Sequence, residues 1–394
     1  MRHTKPATCK GGALVAIDPH DTAHHGEAAR PRESRRDPDV VRTGLQRWLT
    51  ERVIDPVVGD VHIPESNGMS SETLLFDARW DGTDHRLVAR VAPADSAIPV
   101  FPHYDLDAQA RVMRAVAAAT TIPVPHVHWT ESDTAVLGAP FLVMSRIDGV
   151  VPPDVMPYNF GSWVTEATDD QRATLQDRTV DVLAQIHTVD PTTAGLASHP
   201  CAGDAIRAHV AAQRAYYEWT TRTGPRSPLI ERAFTWLDTH VPDDPHPAVL
   251  CWGDARIGNI MFDDFEPAGV LDWELAATGA REMDLAWMIF LHRFFEDIAG
   301  LAGLEGLPGF LRRDEVADTY AQRTGHVPQH LDFHTCYAAV QHAIIMLRIA
   351  TRAAHFGQSV VGSTSEQPDD PDAMIMHRTT LESMLDGTYW EALT

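Results

Sequence analysis

Alternating apolar and polar positions mark Glu72-Thr73-Leu74-Leu75-Phe76-Asp77-Ala78-Arg79-Trp80 and Arg86-Leu87-Val88-Ala89-Arg90-Val91 as strands. Asp81-Gly82-Thr83-Asp84 between them predicts a hairpin. A turn of small residues, Ser66-Asn67-Gly68-Met69-Ser70-Ser71, leads into the first strand. A short amphipathic helix precedes it over 41–49, and 106–119 has helical composition until Ile122-Pro123-Val124-Pro125 stops it. Pro140-Phe141-Leu142-Val143-Met144-Ser145 reads as a buried strand. Beyond Asp148-Gly149 the pattern turns to long helices, over 169–187, 205–221, 229–240, 282–295 and 334–356. Ile147-Asp148-Gly149, with Pro152 and Pro153 close behind, is the expected hinge. Residues 1–40 lack apolar periodicity, and His20, His24 and His25 fall in what reads as a solvated, disordered tail. The expectation is an α+β chain: a small N-terminal sheet lobe with one helix over 41–147, then a larger, mainly helical lobe over 148–394.

The chain has 394 residues and a formal charge of -23. That length suits one large bilobal unit or two ordinary domains. The negative charge repels phosphate backbones and anionic membrane surfaces, so nucleic acid and membrane are not expected partners. The same charge is compatible with a cationic small molecule. Ala13 to Ile17 is too short for a signal-peptide core, no apolar run approaches the ~20 residues of a membrane span, and the expected location is the cytoplasm. Cys9, Cys201, Cys251 and Cys336 are scattered without C-x-x-C spacing and are expected to be reduced thiols.

The candidate chemistry lies in Cys251-Trp252-Gly253-Asp254-Ala255-Arg256-Ile257-Gly258-Asn259-Ile260-Met261-Phe262 and in Val270-Leu271-Asp272-Trp273-Glu274. The apolar runs 260–262 and 268–271 flank an Asp/Glu/Pro turn, which predicts a β-hairpin. A hairpin places the residue entering its first strand beside the residue leaving its second, so Asn259 and Asp272 become neighbours. An amide oxygen and a carboxylate are the hard ligands magnesium takes, with positions left for phosphate. Asp254, on the loop ahead of them, can face the same spot and accept a proton from an attacking hydroxyl.

D-x-x-x-x-N followed by a hairpin and an Asp is the catalytic pattern of the protein-kinase-like fold. W-G-D-x-R-x-G-N with L-D-W-E resembles its aminoglycoside phosphotransferase branch. The likeness extends through Met69-Ser70-Ser71-Glu72, Leu87-Val88-Ala89-Arg90 and residues 151–158. Those segments look like actinobacterial members of the family, a subgroup also related to the kinase-like domains of acyl-CoA dehydrogenase fusion proteins. The resemblance implies an ATP- and Mg2+-dependent small-molecule kinase. It implies Asp254 as base, Asn259 and Asp272 as magnesium ligands, and Arg90 as the strand cation on the phosphates. Arg256 would fix the loop or meet the transferring phosphate, and Asp284 would buttress the loop. Ser70 and Ser71, with Gly68, would cover the phosphates, and Met144 to Ile147 would be the hinge that pairs with adenine.

Three positions depart from the family pattern. Trp252 stands where most members have His, and Arg90 replaces Lys but keeps the charge and a planar fork for phosphate. Gln109 aligns where a Glu should pair with the strand cation, with Asp105 one turn earlier as a substitute partner. The acceptor would be a hydroxylated molecule: an aminoglycoside or amino sugar, or a hydroxyacyl thioester or other metabolite. Carboxylates clustered in the cleft would favour the first and positive charge the second. A catalytically degenerate nucleotide-binding scaffold is the reading of another class. His126 and His128 read as loop residues and Tyr216, Tyr217 and Trp219 as core, while Asp154 and Tyr158 are candidate acceptor contacts.

Overall fold

The computed structural model describes residues 36–64, 71–93, 98–154, 156–222, 224–355 and 370–391. Gly68, Ser70 and the histidines at 20, 24 and 25 lie outside these residues. Helix α1 (Pro38–Thr50) starts three residues earlier than expected, because Asp37 caps it and proline occupies its first turn. Arg36 pairs with Glu72 at 2.9 Å, so residues 36–40, read as the end of a tail, are part of the folded lobe.

The N-terminal lobe is a five-stranded antiparallel sheet made of β1 (Val57–His62), β2 (Glu72–Trp80), β3 (Thr83–Val91), β4 (Val127–Glu131) and β5 (Phe141–Ser145), in the order β1-β2-β3-β5-β4. Asp81 and Gly82, at φ 51° and 75°, close the β2–β3 hairpin in the left-handed turn that suits the twist of paired strands. Helix α2 (Leu106–Ala119) packs against β4 and β5. Asp105 caps it by accepting from the Ala108 N–H. His128 is a strand residue of β4, not a loop residue. Its ring bonds the Ser145 hydroxyl at 2.9 Å, and His126 directly precedes the strand.

The second lobe runs through α3 (Trp163–Glu166), α4 (Asp169–Ile186), α5 (Ala202–Thr220), α6 (Pro228–His240), α7 (Arg281–Leu301), α8 (Arg313–Thr324), α9 (Leu331–His355), α10 (Arg378–Asp386) and α11 (Thr388–Glu391). It also holds two small antiparallel sheets: β6 (Val249–Cys251) with β9 (Ala277–Gly279), and the hairpin of β7 (Ile260–Asp263) with β8 (Glu266–Val270). Helices α7 and α9 form its spine, and both supply apolar faces to the core. At the lobe junction Gly149 has φ 152°, and a Cβ there would lie 2.9 Å from the Phe262 carbonyl oxygen. Val150 bridges to Phe262, which ties the hinge to the β7–β8 hairpin. Tyr216 and Tyr217 are core residues, as expected, and Cys201, Cys251 and Cys336 are free thiols. Among the described residues no helix is long and apolar enough to cross a membrane.

Three of the histidines buried in the helical lobe, His292, His334 and His377, are held neutral, because burial pushes each from its ordinary 6.5 down to about 4. The unfolded chain therefore binds more protons between those values. The stability these groups contribute is complete above 6.5 and is lost as pH falls toward 4. A melting temperature that is flat above pH 6.5 and declines steadily from there to pH 4 is the expected profile. An unchanged melting temperature across that window would show that these imidazoles do not couple folding to protons.

Candidate active site

Strand β6 delivers the chain into a loop whose backbone is fixed from below. Asp284, in the first turn of α7, accepts the Trp252 N–H at 2.7 Å and the Gly253 N–H at 2.9 Å. His187 donates to the same carboxylate at 3.1 Å and meets the Tyr320 hydroxyl at 2.7 Å with its other ring nitrogen. Asp284 therefore buttresses the loop, as expected, and His187 packs beneath it. Gly253 has φ 88°, and a Cβ there would fall 2.1 Å from the Leu275 carbonyl oxygen, so only glycine fits. The Trp252 indole donates to the Leu271 carbonyl at 2.9 Å. That bond ties the loop to the strand end that carries Asp272, so tryptophan at this position keeps the loop in place.

Asp254 is held by three donors. Trp287 Nε1 reaches Oδ1 at 2.7 Å, Asn259 Nδ2 reaches Oδ2 at 2.7 Å, and Arg256 Nε lies 3.2 and 3.1 Å from the two oxygens. Arg256 is shared with Asp154, which it bonds through Nη1. The guanidinium therefore fixes the loop, and Asp154 is its partner before it is anyone else's. Gly258 makes room for this pair, since a Cβ there would stand 2.4 Å from Asp154 Oδ1 and 2.7 Å from Arg256 Nη1. Gly258→Ala is expected to cost about 1–3 kcal/mol through overpacking and to displace Arg256 from Asp254. Denaturant melts and steady-state kinetics would check this, and wild-type values in both would contradict it.

The β7–β8 hairpin forms with Ile260 opposite Val270, and its turn places Asp264 and Phe265 at φ 46° and 66°. The Leu271 N–H donates to the Asn259 carbonyl at 2.9 Å, which sets Asn259 and Asp272 at the same end of the hairpin. Their side chains turn to different partners. Asn259 gives its amide nitrogen to Asp254, and its amide oxygen takes no part in that bond. Asp272, at φ 58°, accepts from Arg90 Nη2 at 3.3 Å through one oxygen, and its other oxygen has no partner among the described residues. Two hard oxygens of this kind fit a magnesium ion. Arg90 Nε also donates to the Ser71 hydroxyl at 2.8 Å, so this one guanidinium links the sheet lobe to the helical lobe.

Gln109 and Asp105 do not partner Arg90. Gln109 is buried on α2 and lines a cavity of about 220 Å³ with Tyr104, Glu274 and Gln341. Asp105 is spent on capping the helix, while Arg90 reaches down to Asp272 instead. Met144 sits in the ladder between Val88 and Val127, so its backbone belongs to the sheet. The next two N–H groups, of Ser145 and Arg146, are taken by the His126 and Arg86 carbonyls. Tyr158 is not an open acceptor contact. It is buried, with its hydroxyl 2.6 Å from His292 Nδ1.

Trp287 is the residue of this site that the sequence reading missed. Its signal was its place three residues after Asp284 on the same face of α7, hidden by the apolar run Leu285-Ala286-Trp287-Met288-Ile289. His187, Cys251 and Asp284 bring ligand-type atoms within 4.8 Å of one another. Those atoms are already spent, with Cys251 donating to the Ala280 carbonyl at 3.2 Å, so the cluster serves the loop.

A model of the phosphotransferase enzyme family matches residues 70–330 of the chain. Acyl-CoA dehydrogenase family member 10 of Mus musculus is 29% identical over 206 residues, which cover 52% of this chain and 18% of that protein. The chain spans less than a third of the length of the curated relatives it matches. A solved structure from Ralstonia eutropha assigned to the aminoglycoside phosphotransferases is similar at TM-score 0.62 and 23% identity, covering 87% of this chain and 97% of that one. The aminoglycoside phosphotransferase APH(4)-Ia, in a ternary complex with ADP and hygromycin B, is similar at TM-score 0.54 and 15% identity, covering 87% of this chain and 98% of that one. The bilobal fold is thus that of protein-kinase-like phosphotransferases.

Proposed function

The chain belongs to the phosphotransferase enzyme family, and from that premise we propose that it moves the γ-phosphate of ATP to a hydroxyl of a small molecule. The supporting observation is that Asn259 bonds the Asp254 carboxylate and stands at the same end of the hairpin as Asp272, which Arg90 of the sheet lobe reaches. Asp254 takes the proton of the acceptor hydroxyl, whose oxygen forms the new bond to phosphorus as the bond from phosphorus to the β-phosphate oxygen breaks. The products are ADP and a phosphoester, with no covalent enzyme intermediate. Trp287, Arg256 and Asn259 hold the Asp254 carboxylate so that no reorientation is needed during transfer. Arg90, steadied by Ser71, grips phosphate oxygens through its fork, and the Met144 thioether packs against the base at the lobe junction. Asn259 and Asp272 would hold magnesium, which when bound offsets charge on the phosphoryl oxygens.

Two acceptor classes have support. The structural neighbours and the net charge of -23 favour an amino sugar or aminoglycoside, which would make the protein a resistance factor. The acyl-CoA dehydrogenase relatives favour a hydroxyacyl thioester. So does the pairing of Asp154 with Arg256, which leaves that carboxylate less available to a cationic acceptor. Incubation with ATP and magnesium across hygromycin B, glucosamine and 3-hydroxybutyryl-pantetheine, with mass spectrometry of each acceptor, tests the proposal. A product heavier by one phosphoryl group identifies the class. Tight nucleotide binding with no modified acceptor and no ADP formed favours the scaffold reading.

A further inference from the structure

Beside Trp287 lies a pair of histidines that the transfer step leaves unused. His342, on α9, packs edge-on to Trp287 at 6.2 Å, to Phe290 at 5.7 Å and to Phe294 at 4.8 Å between ring centroids. Its Nδ1 lies 3.4 Å from Nδ1 of His377, whose Nε2 lies 2.9 Å from the Ala339 carbonyl oxygen. These contacts fix the protons. A carbonyl only accepts, so His377 carries its proton on Nε2 and presents a bare Nδ1. His342 must then donate from Nδ1, which leaves its own Nε2 as a lone-pair acceptor. His377 is buried, whereas His342 is partly exposed, and its Nε2 has no partner among the described residues. Loss of solvation deep in the fold, where only part of the ring stays accessible, and then His377 and the Arg256 charge push His342 well below its ordinary value, which keeps the ring neutral and the lone pair available.

We propose that His342 reads the acceptor: its Nε2 accepts a hydrogen bond from a second hydroxyl or an amide N–H on the molecule phosphorylated at Asp254. The direction of recognition follows from the tautomer. A bare imidazole nitrogen rewards a donor on the substrate and repels a carbonyl or phosphate oxygen. The ring is one residue removed from Asp254 through Trp287, whose indole donates to the Asp254 carboxylate at 2.7 Å, so the read group sits beside the reacting hydroxyl. The selected acceptor class is a molecule that carries a hydrogen-bond donor beside the hydroxyl to be phosphorylated. This inference rests on the phosphotransfer reading.

Two variants separate recognition from structure. His342→Phe keeps a ring against Phe290 and Phe294 but removes the acceptor nitrogen, whereas His342→Gln supplies an amide oxygen that can take its place. With whichever of hygromycin B, glucosamine and 3-hydroxybutyryl-pantetheine the parent turns over, His342→Phe is expected to raise the acceptor KM about tenfold, the effect of one lost hydrogen bond. The ATP KM and kcat should stay within about twofold, and His342→Gln should recover most of the loss. An unchanged acceptor KM in His342→Phe overturns the proposal while leaving phosphotransfer intact. So does a rise in the ATP KM with a lowered melting temperature that His342→Gln fails to restore, since that is the signature of packing alone. A parent that turns over none of the three despite binding ATP counts against the phosphotransfer reading itself, and the role of His342 falls with it.

Discussion

Asp254→Asn is expected to lower kcat about a thousandfold, within the usual 10²–10⁴ range for losing a general base, while leaving nucleotide affinity close to that of the parent. The substitution keeps the shape of the side chain and removes its capacity to take a proton. It also introduces a conflict. Asp254 Oδ1 faces the Trp287 N–H and Oδ2 faces the Asn259 N–H, so an amide set either way opposes its own N–H to one of them. A stability loss of about 1–3 kcal/mol should therefore accompany the kinetic defect. Steady-state kinetics and a nucleotide titration on the same preparation check both parts. A kcat within tenfold of the parent would remove Asp254 from the chemistry.

Asp284→Ala should have the largest effect on the fold. Its carboxylate is 1% exposed and accepts from two backbone N–H groups and from His187, itself buried, so truncation strands three donors away from water. Losing one member of a buried, hydrogen-bonded set costs about 3–5 kcal/mol. In a chain of this length that corresponds to a fall in Tm of roughly 5 °C. Activity should fall with it even below the melting transition, because the released N–H groups belong to the two residues directly ahead of Asp254. Asp284→Asn retains one carbonyl acceptor and should lie between the parent and the alanine variant. A Tm unchanged in Asp284→Ala would mean that the loop is held by Gly253 and the Trp252 indole alone.

Much of this was legible because the informative segments obey local rules. The β7–β8 hairpin could be read from two apolar runs around a polar turn, and it brought Asn259 and Asp272 to one end without tertiary information. The β2–β3 hairpin was legible for the same reason, with Asp-Gly at its turn. The unread elements are those whose stability comes from neighbours. Strand β1, Val-Val-Gly-Asp-Val-His, has glycine in its middle and exists through pairing with β2. Strand β4 carries His128 and Trp129, no alternation, and a register shift against β5. Strands β6 and β9 have three residues each, too few for any period.

Side-chain partnerships were less legible still. The resemblance set Gln109 opposite Arg90 and helical spacing added Asp105, but a carboxylate one residue ahead of a helix is worth more as a cap. The departures at Trp252 and Gln109 change weight accordingly. Trp252 supplies a loop bond through its indole, and Arg90 has Ser71 and Asp272, so neither change removes a contact this site depends on. Trp287 could be recognised only once α7 was seen to turn both Asp284 and Trp287 toward the same loop.

The central claim is that Asp254 and Asp272 act together in transferring phosphate to a small-molecule hydroxyl. The most direct test measures ADP release with ATP, magnesium and each candidate acceptor, comparing the parent with Asp254→Asn and Asp272→Ala and following the phosphorylated acceptor alongside. Acceptor-dependent ADP release matched by phosphorylated product in the parent, and lost in both variants while Asp254→Asn still binds nucleotide, is the predicted result. ADP release in the parent that no acceptor alters, or that survives in both variants, would contradict it.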